Sequence, residues 1–284
     1  VAEALNAGGN SQGKEAVVKG SQCLQGMRLL VVEDNLLNQQ VALELLEANG
    51  AVVTLASGGV EGKMLALSAV VPFDAILMDL QMPDIDGLEA TRQIRLNAHM
   101  LSVPIIAMTA NAMQSDKDAC LAAGMVDHIA KPIELDRMLA TIVRHTGPAK
   151  ASRGVAVEEQ TESDSSKVLN YELAIKRING KRDLYERLVG VFRTESQAHL
   201  EGFQQGVQKG DMSVAGINLH SLKGAAGTMG AEILQQLVSS IEEDLKSMSV
   251  DRITEVMYVG WIKDIENSLC DVVFALDLNF PQAK

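Results

Sequence analysis

Ile76-Leu-Met-Asp-Leu-Gln-Met-Pro-Asp-Ile-Asp-Gly87 is the stretch on which the fold turns. A short apolar run leads straight into Asp79, and a Pro-Asp-Ile-Asp-Gly turn follows. A run this dense fits a strand buried on both faces, as in a parallel sheet. Asp84 and Asp86 read as turn residues, with Gly87 permitting the backbone bend. Asp79 is therefore placed at the carboxyl end of a buried strand.

Working outward, similar short runs occur at Arg28–Val32, Val52–Leu55, Asp74–Met78, Val103–Met108 and Val126–Ala130. Helical periodicity fills the gaps at Asn38–Ala48, Gly59–Ser68, Leu88–Leu96, Ala112–Ala123 and Glu134–His145. Five such alternations over residues 27–146 predict an α/β, doubly wound five-stranded parallel sheet with helices on both faces. In such sheets functional residues gather at the carboxyl ends of the strands. Residues 1–26 read as a flexible leader, and 147–167 as a linker with little to bury. From 168 to 280 the periodicity is only helical. Spans at Arg182–Gln208, Met212–Gly227, Ala231–Met248 and Asp251–Leu276 predict an all-α four-helix bundle. Its turns are marked by Asn179-Gly180, Lys209-Gly-Asp211 and Thr228-Met-Gly230.

The 284 residues suffice for two domains of ordinary size. Apolar residues make up 47% but aromatics only 3%, so aliphatic side chains and 13 methionines must fill the cores. A net charge of −12 argues against sequence-independent nucleic-acid binding and against docking on anionic lipid. Cys23, Cys120 and Cys270 are far apart, odd in number and without metal-ligand spacing, which reads as reduced thiols in a cytoplasmic protein. No stretch reaches the roughly 20 apolar residues of a membrane span. The chain begins at Val1 with no signal-peptide pattern, and a fragment of a longer protein is expected.

Adjacent strands bring Glu33 and Asp34, after the first strand, close to Asp79. Three carboxylates repel unless a cation neutralises them, and a hard divalent ion such as Mg²⁺ prefers oxygen ligands. Thr109 adds a hydroxyl at the fourth strand end, and Lys131, before Pro132, an ammonium at the fifth. Metal, hydroxyl and ammonium around one carboxylate suit phosphoryl transfer. A cis bond at Pro132 would aim Lys131.

On Glu33-Asp34, Asp79, Met82-Pro83, Asp86-Gly87, Thr109-Ala110 and Lys131-Pro132, residues 27–146 resemble the receiver domain of two-component response regulators. The resemblance implies that Asp79 accepts a phosphoryl group. It implies Mg²⁺ bound by Asp34, Asp79 and the Gln81 carbonyl, with Glu33 acting through water. It makes Thr109 the switch residue and Lys131 the counter-ion. One position departs: His128 stands where many receivers carry Tyr or Phe three residues before the lysine.

Of five histidines, His220 is distinguished by its surroundings in His220-Ser-Leu-Lys-Gly-Ala-Ala-Gly-Thr-Met-Gly230. Helical spacing puts Lys223, Gly224 and Gly227 on its face. Glycine inside a helix costs about 1 kcal/mol relative to alanine, so two beside one histidine imply a close approach to the backbone. Lys223 supplies positive charge. Residues 168–278 resemble a histidine-phosphotransfer domain, which implies that His220 is a phosphoacceptor supported by Lys223 and Gly224. Leu234, Leu237 and Ile241 read as a core stripe on the next helix.

Phosphoaspartate and phosphohistidine are both reactive, so a group can pass between them with little loss of free energy. No P-loop and no nucleotide lid is present, and autophosphorylation from ATP is not expected. The expectation is the receiver and phosphotransfer region of a bacterial hybrid sensor histidine kinase, with an inner-membrane sensor kinase as the parent. Its partners would be the kinase core and a downstream response regulator. Two alternatives are an allosteric brake docked on the kinase or bundle, and a phosphate sink. Whether Asp79 and His220 exchange within one chain is open at this level.

Overall fold

The computed structural model describes residues 23–110, 114–147, 168–247 and 255–281. Most of the predicted leader and linker lie outside the described residues. The end of the leader does not: Leu24 is fully buried and its amide donates to the Asn49 carbonyl, so the packed domain begins earlier than residue 27.

Five strands form the parallel sheet: β1 (Arg28–Val32), β2 (Val52–Ala56), β3 (Ala75–Asp79), β4 (Ile105–Thr109) and β5 (Asp127–Ala130), in the order β2-β1-β3-β4-β5. Between them run α1 (Leu36–Glu47), α2 (Gly59–Ser68), α3 (Gly87–Arg95) and α4 (Gln114–Ala123), with α5 (Leu135–Thr146) last. The two-residue period of a strand divides the apolar residues between the faces of the sheet. Leu30, Val32, Ile76, Met78, Ile105 and Ala107 share one core with Ala66 of α2, Ala90 and Ile94 of α3, and Cys120 of α4. Leu29, Val31, Leu77, Ile106 and Met108 share the other with Leu45 of α1 and Met138 of α5.

The connections are capped as the sequence suggests. Asn35 accepts from the Asn38 amide at 3.1 Å and starts α1. Asp86 is more than a turn residue, since it accepts from the Glu89 amide at 2.7 Å and starts α3. Asp84 reaches across to the Gly59 and Val60 amides at 2.9 and 2.7 Å and caps α2 from another loop. Both use the carboxylate to satisfy orphan helix donors.

The second domain adds a short helix to the predicted bundle. It comprises α6 (Tyr171–Arg177), α7 (Arg182–Lys209), α8 (Met212–Met229), α9 (Glu232–Ser247) and α10 (Glu255–Asn279). Gly230, at φ 78°, ends α8 in the left-handed conformation that a Cβ would disfavour. Phe192, Phe203, Leu219, Leu222, Leu234, Val238, Ile265 and Leu276 fill its core.

The two domains are docked. α1 lies against α7 and α8, and the apolar cluster on the α1/α5 side of the sheet runs on into the bundle. Polar contacts edge this seam. Asn35 Nδ2 donates to the Ser221 carbonyl at 3.3 Å, Ser221 Oγ to Asp34 at 3.4 Å, and Thr228 Oγ1 to Asn38 Oδ1 at 2.9 Å. Lys181 donates to the Glu44 carbonyl at 3.4 Å, and Arg187 pairs with the Glu44 carboxylate.

Candidate functional site

Strand register brings the first constellation together. β1 and β3 pair with Val32 opposite Met78, so Glu33 and Asp79 emerge level at the point where strand order reverses. The Lys131 amide donates to the Thr109 carbonyl at 2.7 Å, setting those two strand ends side by side. The Lys131–Pro132 bond is cis. Lys131 Nζ sits 2.8 Å from Asp79 Oδ2 and 2.7 Å from Glu33 Oε2, with all three side chains almost wholly buried. Gly87 shows why this turn needs glycine, since a Cβ there would meet the Asp79 carbonyl oxygen at 2.0 Å.

The charges do not balance. Glu33, Asp34 and Asp79 each bring a carboxylate oxygen within 4.8 Å of the others, against one ammonium. Burial, then the charge of Asp79, pushes the Glu33 carboxyl up to about 8 even though Lys131 opposes the shift. Burial and Asp79 also raise Asp34. Burial pulls the Lys131 ammonium down, but the charges of Asp79 and Glu33 outweigh it and hold it above its usual range. A pocket of oxygen donors short of positive charge can hold a hard divalent cation. The Gln81 amide points to Asp79 Oδ1 at 3.4 Å, which keeps its peptide at the rim of the pocket.

The second constellation centres on α8. His220 is 8% exposed, and its Nδ1 faces Glu242 Oε1 at 3.4 Å. Glu242 is 3% exposed and also holds Lys223 and Lys246, the latter at 2.7 Å. Burial pushes the Glu242 carboxyl upward, but His220, Lys223 and Lys246 outweigh it and hold it well below the usual carboxylate range. Lys223, expected beside His220, is thus tethered from below by an acid.

Of the two glycines expected to admit a close neighbour, Gly227 does so, whereas a Cβ at Gly224 would stand at an ordinary contact distance. Gly224 faces the receiver, where a Cβ would stand 3.4 Å from Asn38 Nδ2, and Gly227 faces α9, where it would meet Gln235 at 2.6 Å. Leu234 and Ile241 are buried, whereas Leu237 is half-buried and Val238 takes its place in the stripe. His128 is the second residue of β5, paired with Ala107, and its ring is 3.6 Å from Asp127.

Glu242 escaped the sequence reading. It follows Ile241 on α9, and positions 234, 238, 241, 242 and 245 make one helical face that is otherwise apolar. An acid inside such a stripe needs a partner, and that was the available signal.

The two constellations meet. Asp79, Gln81, Thr109 and Lys131 line the same cleft as His220, Lys223, Gly224 and Glu242, a space of about 1310 Å³.

Residues 29–143 match the response regulator receiver domain and residues 187–267 match the Hpt domain. The chain carries a receiver domain followed by an Hpt domain, a pairing that supports phosphorelay signalling. It is 31% identical over 246 residues to the signal transduction histidine-protein kinase BarA of Escherichia coli (strain K12), covering 85% of this chain and 26% of that protein. With the sensor protein GacS of Pseudomonas syringae pv. syringae it shares 33% identity over 228 residues, 77% of this chain and 24% of that protein. The chain therefore spans about a quarter of the length of these relatives. A solved receiver domain of sensor histidine kinase PA1611 from Pseudomonas aeruginosa PAO1, with magnesium in its active-site cleft, is 42% identical. That match covers 43% of this chain and 99% of that one, with a TM-score of 0.41. No described helix is long and apolar enough to cross a membrane.

Proposed function

We propose that Asp79 takes a phosphoryl group from the phosphohistidine of a kinase core and that His220 then receives it for delivery to a downstream receiver. The observation that supports this reading is the shared cleft, which holds both acceptors with the domains docked. Glu242 facing Nδ1 favours the tautomer protonated there and leaves the other ring nitrogen with its lone pair. That nitrogen attacks phosphorus, the bond from phosphorus to the Asp79 oxygen breaks, and its electron pair returns to the carboxylate. Lys131 and Lys223 flank the path and offset charge on the transferring group, while docking supplies orientation. Domain limits near 24–147 and 168–281, a cytoplasmic site of action and a histidine kinase parent accompany this reading.

Glu33, Asp34 and Asp79, with the Gln81 carbonyl, would hold Mg²⁺, which would neutralise the excess negative charge of the pocket. Millimolar Mg²⁺ should then raise the unfolding midpoint, by about 1.4 kcal/mol of stability at ten times its Kd. Asp34→Asn should cancel that gain, and a gain of the same size in the variant would remove magnesium from the site.

The transfer itself is tested by labelling the whole chain with a radioactive small acyl phosphate. The expected result is two pools of label, one base-labile at Asp79 and one acid-labile at His220. Label confined to the base-labile pool would overturn the reading.

A further inference from the structure

Asn38 stands between the two phosphorylation sites, although neither chemistry needs an amide there. It is 4% exposed, at the head of α1. Its Nδ2 donates to Glu33 Oε1 at 2.9 Å, and its Oδ1 accepts from Thr228 Oγ1 at 2.9 Å. The NH₂ end of the amide is turned to Glu33, so its oxygen is the end left to face α8. Gly224 of α8 lies alongside the amide, its Cβ position 3.4 Å from Nδ2. The contacts form one unbroken line. Thr228 touches Asn38, Asn38 touches Glu33, Glu33 shares Lys131 with Asp79, and Asp79 takes the phosphoryl group.

We propose that Asn38 is a positioning residue that couples the phosphorylation state of Asp79 to docking of the Hpt helix. The proposal rests on the relay reading above. A phosphoryl group on Asp79 brings new anionic oxygens to Lys131 and draws it from Glu33. Glu33 then depends more on Asn38, and the amide is held more firmly with its oxygen aimed at Thr228. A phosphorylated pocket thus favours a docked α8, and by reciprocity a docked α8 favours the phosphorylated pocket. Transfer would proceed from the docked state, so the amide would act on its rate without touching the reacting atoms.

The test compares Thr228→Val, Asn38→Ala and the double variant in the whole chain, each labelled with a radioactive small acyl phosphate. Thr228→Val keeps the shape of the side chain and removes only its donor. Movement of label from Asp79 to His220 should slow about fivefold, the scale of one lost hydrogen bond. Labelling of Asp79, measured with His220→Gln added, should fall less than transfer does, because Thr228 reaches the acid pocket only through Asn38. Asn38→Ala should slow transfer at least as much, and the double variant should be no slower than Asn38→Ala alone, because the two residues act through one contact. Parent-like transfer in Thr228→Val, or a double variant whose loss is the product of the two single losses, would overturn the coupling. Label that reaches His220 in the parent but is indifferent to Thr228 overturns only this inference. Label that never reaches His220 overturns the relay reading with it.

Discussion

Replacing His220 by glutamine is expected to cut phosphoryl delivery to a separate receiver by more than about a thousandfold, to background. An amide has no lone pair suited to attack phosphorus, yet it nearly matches imidazole in reach. The bundle should survive, because Lys223 and Lys246 still neutralise Glu242 and the neighbours Leu219 and Leu222 keep the helix in its core. Asp79 should still accept label from a small acyl phosphate, since its pocket is assembled by four strand ends of the other domain. Gel autoradiography of both proteins after mixing reads the two stations separately. Delivery at even a few per cent of the parent rate would show that phosphate bypasses His220.

The second large effect concerns stability. Glu242→Ala removes the anion beneath Lys223, Lys246 and His220 and leaves a half-buried cluster of like charge. Removing one partner of a buried ion pair is expensive because the other is left uncompensated, and Lys246 can relax into water. A loss of about 2–4 kcal/mol at pH 7 follows. The sign of the pH dependence is fixed by the direction of the shift. A carboxyl held below its unfolded value of 4.5 contributes stability above that pH and loses it as pH falls toward its folded value. Urea unfolding of the parent should therefore weaken below about pH 4.5, whereas the alanine variant should weaken less over that range. Equal stability of the two proteins at pH 7 would refute the assignment of Glu242 as the counter-charge.

Much of the receiver was legible because its signals are local. The register that sets Val32 beside Met78 also sets Glu33 beside Asp79, and the apolar runs already place both acids at strand ends. Thr109 and Lys131 followed from the same rule. Most helix limits moved by a residue or two, since caps such as Asp86 fix them and a cap looks like any turn acid, and the last helix runs three residues past its expected end, to Asn279. What stayed hidden depends on elements distant in the chain. Asn38 and Thr228 meet across 190 positions, and no periodicity announces that contact. Gly224 hinted that something would press on α8, but the hint did not say that it would come from α1. Glu242 could have been found, because an acid on the apolar face of α9 contradicts the pattern around it.

The cleft between the stations is much larger than a phosphoryl group, at about 1310 Å³. An acyl phosphate in so roomy a space meets water as well as imidazole. Each docking event is thus a race between two nucleophiles, and fidelity depends on how briefly the group waits on Asp79. Speed of handover, rather than exclusion of solvent, is what would keep the signal from draining away between the two stations.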